Sequence, residues 1–580
     1  MAKKVIIMGG GIAGMSAAHE LIERGFDVEV YESKPIYVGG KARSEDAVDG
    51  AITNAAGEHG FRFFPGFYRH ITHTMKRIPY GTGTVYDNLK RTDMILFERD
   101  GQEPLKALAH FPLTAYDVDI FFQTITGGAA STGLTAFEKN LFKEKIFQLL
   151  TTSNTRFNDE YEQTGWWYFV DADAPGVTNT YRSLLADGLT RSLVAAKAST
   201  MSTRVGGSIF LQLIYNMADP TIAPDRVLKG PTNESFLNPW YNYLLSKGVL
   251  YHKNHEVRGI NLSGSSVADI TVYDGISNTT INVNGDYYLL AIPVEKAQSL
   301  LIGPIMALDP VLGNTAALAA NVNWMNGVQF FLNTNVPISP GHIIHINSNW
   351  ALTSISQVQF WDSTIYNIDA ATTGLVKGVL SVDISDWDSI YNGKSAKNCT
   401  ETELITFIYE QVQQSLILGG VPVLPLNMSS LVVGYHIGSS IKILGPGATN
   451  LEPLLVNVVN SWGLMPKSWS TINNLFLAGD YVRTNTNLAT MEAANESARR
   501  AANCIIDASG SGKPYAKVWK LRSWKMLMPY KWWDKNRYDK GLPYKNNYPW
   551  WLHVIAFLWA MICIIGWIFL YLYTLIFGPI

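Results

Sequence analysis

The chain has 580 residues, 47% hydrophobic, 12% aromatic and 16% charged. That length allows three or four domain-sized units or two large ones, and the low charged fraction excludes a disordered or coiled-coil chain. A net charge of -2 argues against nucleic-acid binding, which needs a basic surface to displace counterions.

The near-neutral total hides a split. Residues 513–580 hold ten Lys/Arg and two acids, while the preceding 512 residues hold 36 basic and 46 acidic groups. Cys399, Cys504 and Cys563 can build no disulfide framework and have no metal-ligand spacing, so no metal site is expected and reduced thiols are.

In chain order, Val5–Met8 is a continuous apolar run, as in a strand buried on both faces. Gly9, Gly11 and Gly14 follow in G-x-G-x-x-G spacing with Ala13 inside the motif, then a helical pattern to Gly25, then a second strand, Val28–Tyr31. The first glycine permits the turn, the second lets backbone approach a pyrophosphate, and the third lets helix pack on strand. The helix N-terminus offers free N–H groups and partial positive charge to phosphate. Glu32, with Ser33 beside it, ends the second strand where an acid accepts from ribose hydroxyls. This is a dinucleotide site.

Two further features select FAD over NAD. Gly39-Gly40-Lys41-Ala42-Arg43-Ser44 adds freed backbone N–H groups and a guanidinium fork for phosphate. Far downstream, the apolar strand Leu475–Leu477 leads into Ala478-Gly479-Asp480 and a helical pattern containing Met491, Glu492 and Ala493. Such a strand–Gly-Asp–helix unit can return to the first sheet and set a helix N-terminus against a reduced flavin ring.

Between these ends, Phe121, Phe122, Phe137, Phe142, Phe147 and Trp166-Trp167-Tyr168 mark a helical, aromatic block, and Val328–Leu332, Ile343–Ile346, Leu352–Phe360 and Val376–Ile384 read as strands. Some of these aromatics line an apolar tunnel in this reading, although ordinary core is the commoner use of each. His59, flanked by Glu58 and Arg62, is the best polar candidate beside a flavin, against the simpler reading that Glu58-His59-Gly60 only shapes the pocket. His70, His73, His110, His252 and His255 have no supporting pattern, and Arg499-Arg500 read as favouring the end of their own helix.

At the C-terminus, residues 552–577 carry only His553 and Thr574 as clearly polar side chains. As a helix they would reach about 39 Å against a hydrocarbon core of about 30 Å. Upstream, 515–550 interleaves bases with Tyr and Trp, as an interfacial belt does. The expectation is therefore a single-pass C-terminal membrane anchor with the body on the cytoplasmic side. MAKKVIIMGGG carries no secretory pattern.

The set GGGIAG…YESK, GGKARS and LFLAGDYVRTNTNLATMEAANESARRAAN resembles the FAD-dependent amine oxidase/phytoene desaturase superfamily, and its carotenoid desaturases most. Gly57-Glu58-His59-Gly60-Phe61-Arg62 resembles the glycine–histidine–aromatic segment of those desaturases, which implies Gly57 and Gly60 at the cofactor. Val257 matches the position whose backbone meets the adenine. The fold class expected is α/β: a Rossmann-type FAD-binding domain (1–84, 226–304 and 466–512) interrupted by a mixed α+β substrate domain (85–225 and 305–465). A basic, aromatic membrane-interface segment (513–551) and a transmembrane helix (552–577) would follow.

The resemblance implies a membrane-anchored oxidoreductase that passes hydride from a long apolar isoprenoid or other lipid to flavin N5, desaturating or isomerising it, with the bilayer as partner and a quinone or oxygen as electron acceptor. An amine oxidase is the alternative. A flavin-binding membrane scaffold without turnover is the alternative of another class.

Overall fold

Five short runs, drawn from three distant stretches of the chain, build one parallel sheet in the computed structural model. Its order is Leu250–Lys253, Asp27–Glu32, Lys4–Met8, Tyr287–Leu290 and Leu475–Leu477. The structure describes residues 2–49, 52–99, 102–109, 132–188, 191, 196–217, 219, 221–418, 420–443 and 447–577.

Burial on both faces explains why the central strand is apolar without interruption. Val5 and Ile7 point to one side, against the helix Ile12–Ile22 and Ala498, Ala501, Ala502 and Ile505 of the helix Met491–Ser509. Ile6 and Met8 point to the other. There they meet Val267, Ile270 and Val272, from a three-stranded antiparallel sheet (His255–Ser263, Ser266–Asp274 and Thr279–Val283), and Val294, Ala297 and Leu301. A side chain buried this fully contributes about 1.5–3 kcal/mol.

A second sheet has seven strands in the order Val432–Ile437, Asn326–Leu332, Gly378–Ile384, Leu352–Ser356, Ile343–His345, Met94–Arg99 and Gln102–Leu108. Two of the sequence-read strands end earlier than expected, at His345 and Ser356, one starts later, at Gly378, and Val358–Phe360 is a 3-10 turn. On one face Phe330, Leu380, Val382 and Ile384 pack on Leu404, Ile405, Ile408 and Val412 of the helix Glu401–Ser415. Alternation sends Ile95, Phe97, Ile344, Thr353 and Asp383 to the other face, toward a cavity. Helices Ala136–Thr151 and Thr203–Met217 close that side. Phe121, Phe122 and His110 lie outside the described residues.

The C-terminal expectations need correction. Among the described residues no helix is long and apolar enough to cross a membrane. The transmembrane helix expected over 552–577 is not supported, nor is the single-pass anchor that would place the body on the cytoplasmic side. The helix Trp550–Phe577 is present. Its first turns are fastened to protein: Leu552 is buried, and Trp559 Nε1 donates to the Lys525 carbonyl at 2.8 Å.

The upstream segment packs on the body in the same way. Asp534 pairs with Arg156 at 2.9 Å, both side chains almost fully buried. Arg522 pairs with Asp219 at 3.0 Å, Thr151 and Tyr544 share a hydrogen bond of 2.8 Å, and Trp524 packs on Tyr215 with ring centroids 4.9 Å apart.

Candidate active site

The first turn is held by backbone contact. Gly9 has φ of +104°, and the Ala291 carbonyl oxygen lies 2.7 Å from where its Cβ would stand. A Cβ on Gly14 would sit 1.9 Å from the Gly9 carbonyl oxygen, so only glycine lets the helix start this close to the strand. The Gly39–Gly40 turn lies against the same loop: the Gly39 N–H donates to the Gly10 carbonyl at 3.1 Å. No side chain caps the helix at Gly11, and its first turn holds no acid. Its N–H groups and positive end are left to an anionic ligand.

Glu32 is buried at the end of its strand. Its carboxylate accepts from the Gly10 N–H at 2.7 Å and the Lys34 N–H at 2.8 Å, keeping acceptor capacity on a wall facing open space.

That space is a cavity of about 1230 Å³. Of the residues singled out in the sequence, Gly9, Gly11, Ala13, Glu32, Ser33, Gly39, Gly40, Lys41, His59, Gly60, Arg62, Val257, Gly479, Asp480 and Met491 all lie on its wall. Two ends of the chain more than four hundred residues apart thus meet at one cavity.

The others do not line it. Gly14 sits behind Gly9, and a Cβ on Gly57 would meet the His436 ring at 2.5 Å. Arg43 turns toward Glu452, with contacts of 2.9 and 3.1 Å, and the Gly40 carbonyl at 2.9 Å. Glu58 faces inward, accepting from Ser44 Oγ at 3.1 Å and the Thr232 N–H at 2.6 Å. Ala493 donates its N–H to Thr490 Oγ1, the cap of its helix. Glu492 reaches across to cap the helix His70–Met75, accepting from the N–H groups of Arg69, His70 and Ile71 at 2.7 to 2.9 Å. His70 is structural too: Nδ1 pairs with Glu492 at 2.7 Å, and Nε2 accepts from the Trp519 N–H at 2.9 Å. Arg499 does not serve its own helix end. It is fully buried and bonds to Glu20, Thr74 and the His70 carbonyl, joining three helices.

Around His59 the electrostatics are unusual. Burial, then the charges of Arg62 and Arg43, hold its pKa well below the ordinary value. Arg62 Nη2 lies 3.5 Å from His59 Nδ1. Burial also raises the Asp480 carboxyl. Sequence reasoning missed Asp383: its Oδ1 is buried without a hydrogen-bond partner among the described residues, and burial pushes its carboxyl up to about 8 against the opposing Arg62 charge. The signal for it was a charge inside the strand Gly378–Ile384, whose other residues are uncharged.

Beyond Arg62 the wall turns apolar. Val205, Ile209, Leu213 and Met217 face it at four-residue spacing along one helix, opposite Ile95 and Phe97 of the seven-stranded sheet. Among the sequence-read aromatics Phe142 lines it, Trp166 is core, and Phe137, Phe147 and Tyr168 are exposed. The tail contributes Trp524.

A parallel sheet opening on a glycine turn and closed by a remote strand–helix unit, beside a deep cavity, is the architecture of a flavin-dependent oxidoreductase. The chain belongs to the flavin containing amine oxidoreductase family, which it matches over residues 12–506. It is 22% identical over 532 residues to a zeta-carotene desaturase of Synechocystis sp., covering 87% of this chain and 97% of that protein. It is also 22% identical over 542 residues to a zeta-carotene desaturase of Capsicum annuum, covering 87% and 81%. In fold it is similar to putrescine oxidase bound to putrescine, with a TM-score of 0.58, 12% identity, and coverage of 87% of this chain and 99% of that one.

Proposed function

We propose that the chain is an FAD-dependent desaturase of a long, apolar, isoprenoid-like substrate. One observation carries this: a single cavity runs from a dinucleotide turn into a wall of aliphatic and aromatic side chains. The likeness to zeta-carotene desaturases supports the same reading.

The residues present fit FAD. The uncapped helix at Gly11 and the Gly39–Gly40 turn would hold the pyrophosphate, Glu32 a ribose, and Val257 the adenine side. Gly479, Asp480 and Met491 would meet the ring end. When bound, the flavin supplies a two-electron hydride acceptor at N5. The protein's own tasks are orientation and exclusion of water. Leu213, Ile209 and Phe142 fix a chain molecule by apolar contact. Arg62 and His59 place polarity where the apolar wall ends.

The test is anaerobic. Purified yellow protein mixed with a linear isoprenoid polyene that retains saturated CH2–CH2 units should lose its flavin colour. Loss of colour with a primary amine, and none with the polyene, would replace this reading by amine oxidation.

A further inference from the structure

We propose that His342, held by Asp225, is the base that takes the proton when the substrate double bond forms; the proposal rests on the desaturase reading. His342 lies just before the strand Ile343–His345, on the cavity wall, and is 7% exposed. Its Nδ1 is 2.8 Å from Asp225 Oδ2, and Asp225 also lines the cavity. Thr92 Oγ1 donates to the same carboxylate oxygen at 2.6 Å. The carboxylate stands in ion-pair contact with Nδ1, which favours the proton on that nitrogen.

The lone pair then sits on Nε2. That atom is buried and has no hydrogen-bond partner among the described residues. Leaving a ring nitrogen unpaired in an apolar site costs free energy. Phe61 and Phe63 pack on the ring at centroid distances of 5.0 and 5.4 Å, fixing it and shielding it. Both aromatics line the cavity and flank Arg62, so the imidazole stands next to the polar end of the apolar wall. A carboxylate beside an imidazole on a cavity wall, with the imidazole's far nitrogen left unpaired, is an arrangement suited to a general base.

The chemistry has a place for it. Turning a CH2–CH2 unit into a double bond removes a hydride from one carbon and a proton from its neighbour. Bound flavin would accept the hydride with its two electrons. The electrons of the second C–H bond become the π bond, and its proton goes to His342 Nε2. Asp225 then faces an imidazolium and stabilises it. His59 serves this step poorly, because burial and two arginines oppose its protonation.

The experiment follows flavin bleaching by the same polyene in full-length, flavin-loaded protein without oxygen. His342→Gln should retain its flavin but bleach about 10²–10⁴-fold more slowly, with added imidazole restoring part of the rate. Asp225→Asn should also slow bleaching. A substrate-free readout accompanies this: selective 15N-histidine spectra should show His342 in the Nδ1–H form in the wild type, and that form should be lost in Asp225→Asn. Bleaching of His342→Gln at the wild-type rate, or an Nε2–H form in the wild type, overturns the proposal and leaves the desaturase reading standing. A wild type that the polyene fails to bleach overturns both.

Discussion

The two walls of the cavity are built on opposite principles. At the glycine turn, backbone does the work: close approach at Gly14, an uncapped helix end at Gly11, and one buried carboxylate at Glu32. At the other end, side chains do it, from one face of the helix Thr203–Met217 and one face of the seven-stranded sheet. Backbone geometry tolerates no substitution, because an added atom has nowhere to go. An apolar wall tolerates many, because volume and not identity is what it supplies. The cofactor end should therefore fail abruptly and the substrate end gradually.

The sharpest break is expected at the turn. Gly14→Ala places a methyl group on the Gly9 carbonyl and should abolish flavin retention, read as absorbance per protein; normal flavin content would show that the turn can shift. Next comes the C-terminal segment, which serves the substrate side through Trp524. Asp534→Ala removes one of the two acids paired with buried Arg156, leaving Glu160, and should cost about 1–3 kcal/mol in chemical denaturation. A loss below about 1 kcal/mol would mean that the segment is only loosely docked.

Leu213→Trp narrows the apolar wall. Flavin content should hold while polyene bleaching falls about tenfold or more, and an equal loss of both would deny the division between the walls. The last test is at Asp383, in flavin-free protein. Its folded carboxyl keeps its proton up to about 8, while the unfolded one releases it near its ordinary value of 3.8. Stability should therefore fall as pH rises through that window. Asp383→Asn should flatten the fall in melting temperature, and parallel curves would refute the shift.

What was legible in the sequence was local. The turn at Gly9–Gly14, the Gly39–Gly40 pair and the Leu475–Asp480 unit each carry their geometry in consecutive residues, so spacing alone exposes them. His342, Asp225 and Asp383 lie in separate segments that only the seven-stranded sheet and its approaches bring together. No local pattern announces them. The C-terminal segment misled for another reason: Tyr and Trp with an apolar body and a polar tip suit a bilayer interface and a protein groove equally. Here Tyr544 meets Thr151 and Trp524 meets Tyr215. Arg43 and Glu492 show the limit of motif transfer. Both occupy the positions expected, yet their side chains bond to Glu452 and to the helix His70–Met75.

The most direct measurement is an experimental structure of the flavin-loaded protein with a linear polyene bound. The account predicts the isoalloxazine between Gly40 and Asp480, and the polyene laid along Leu213 and Phe142 with a saturated carbon near His342. A flavin held elsewhere, or a polyene outside this cavity, would contradict it.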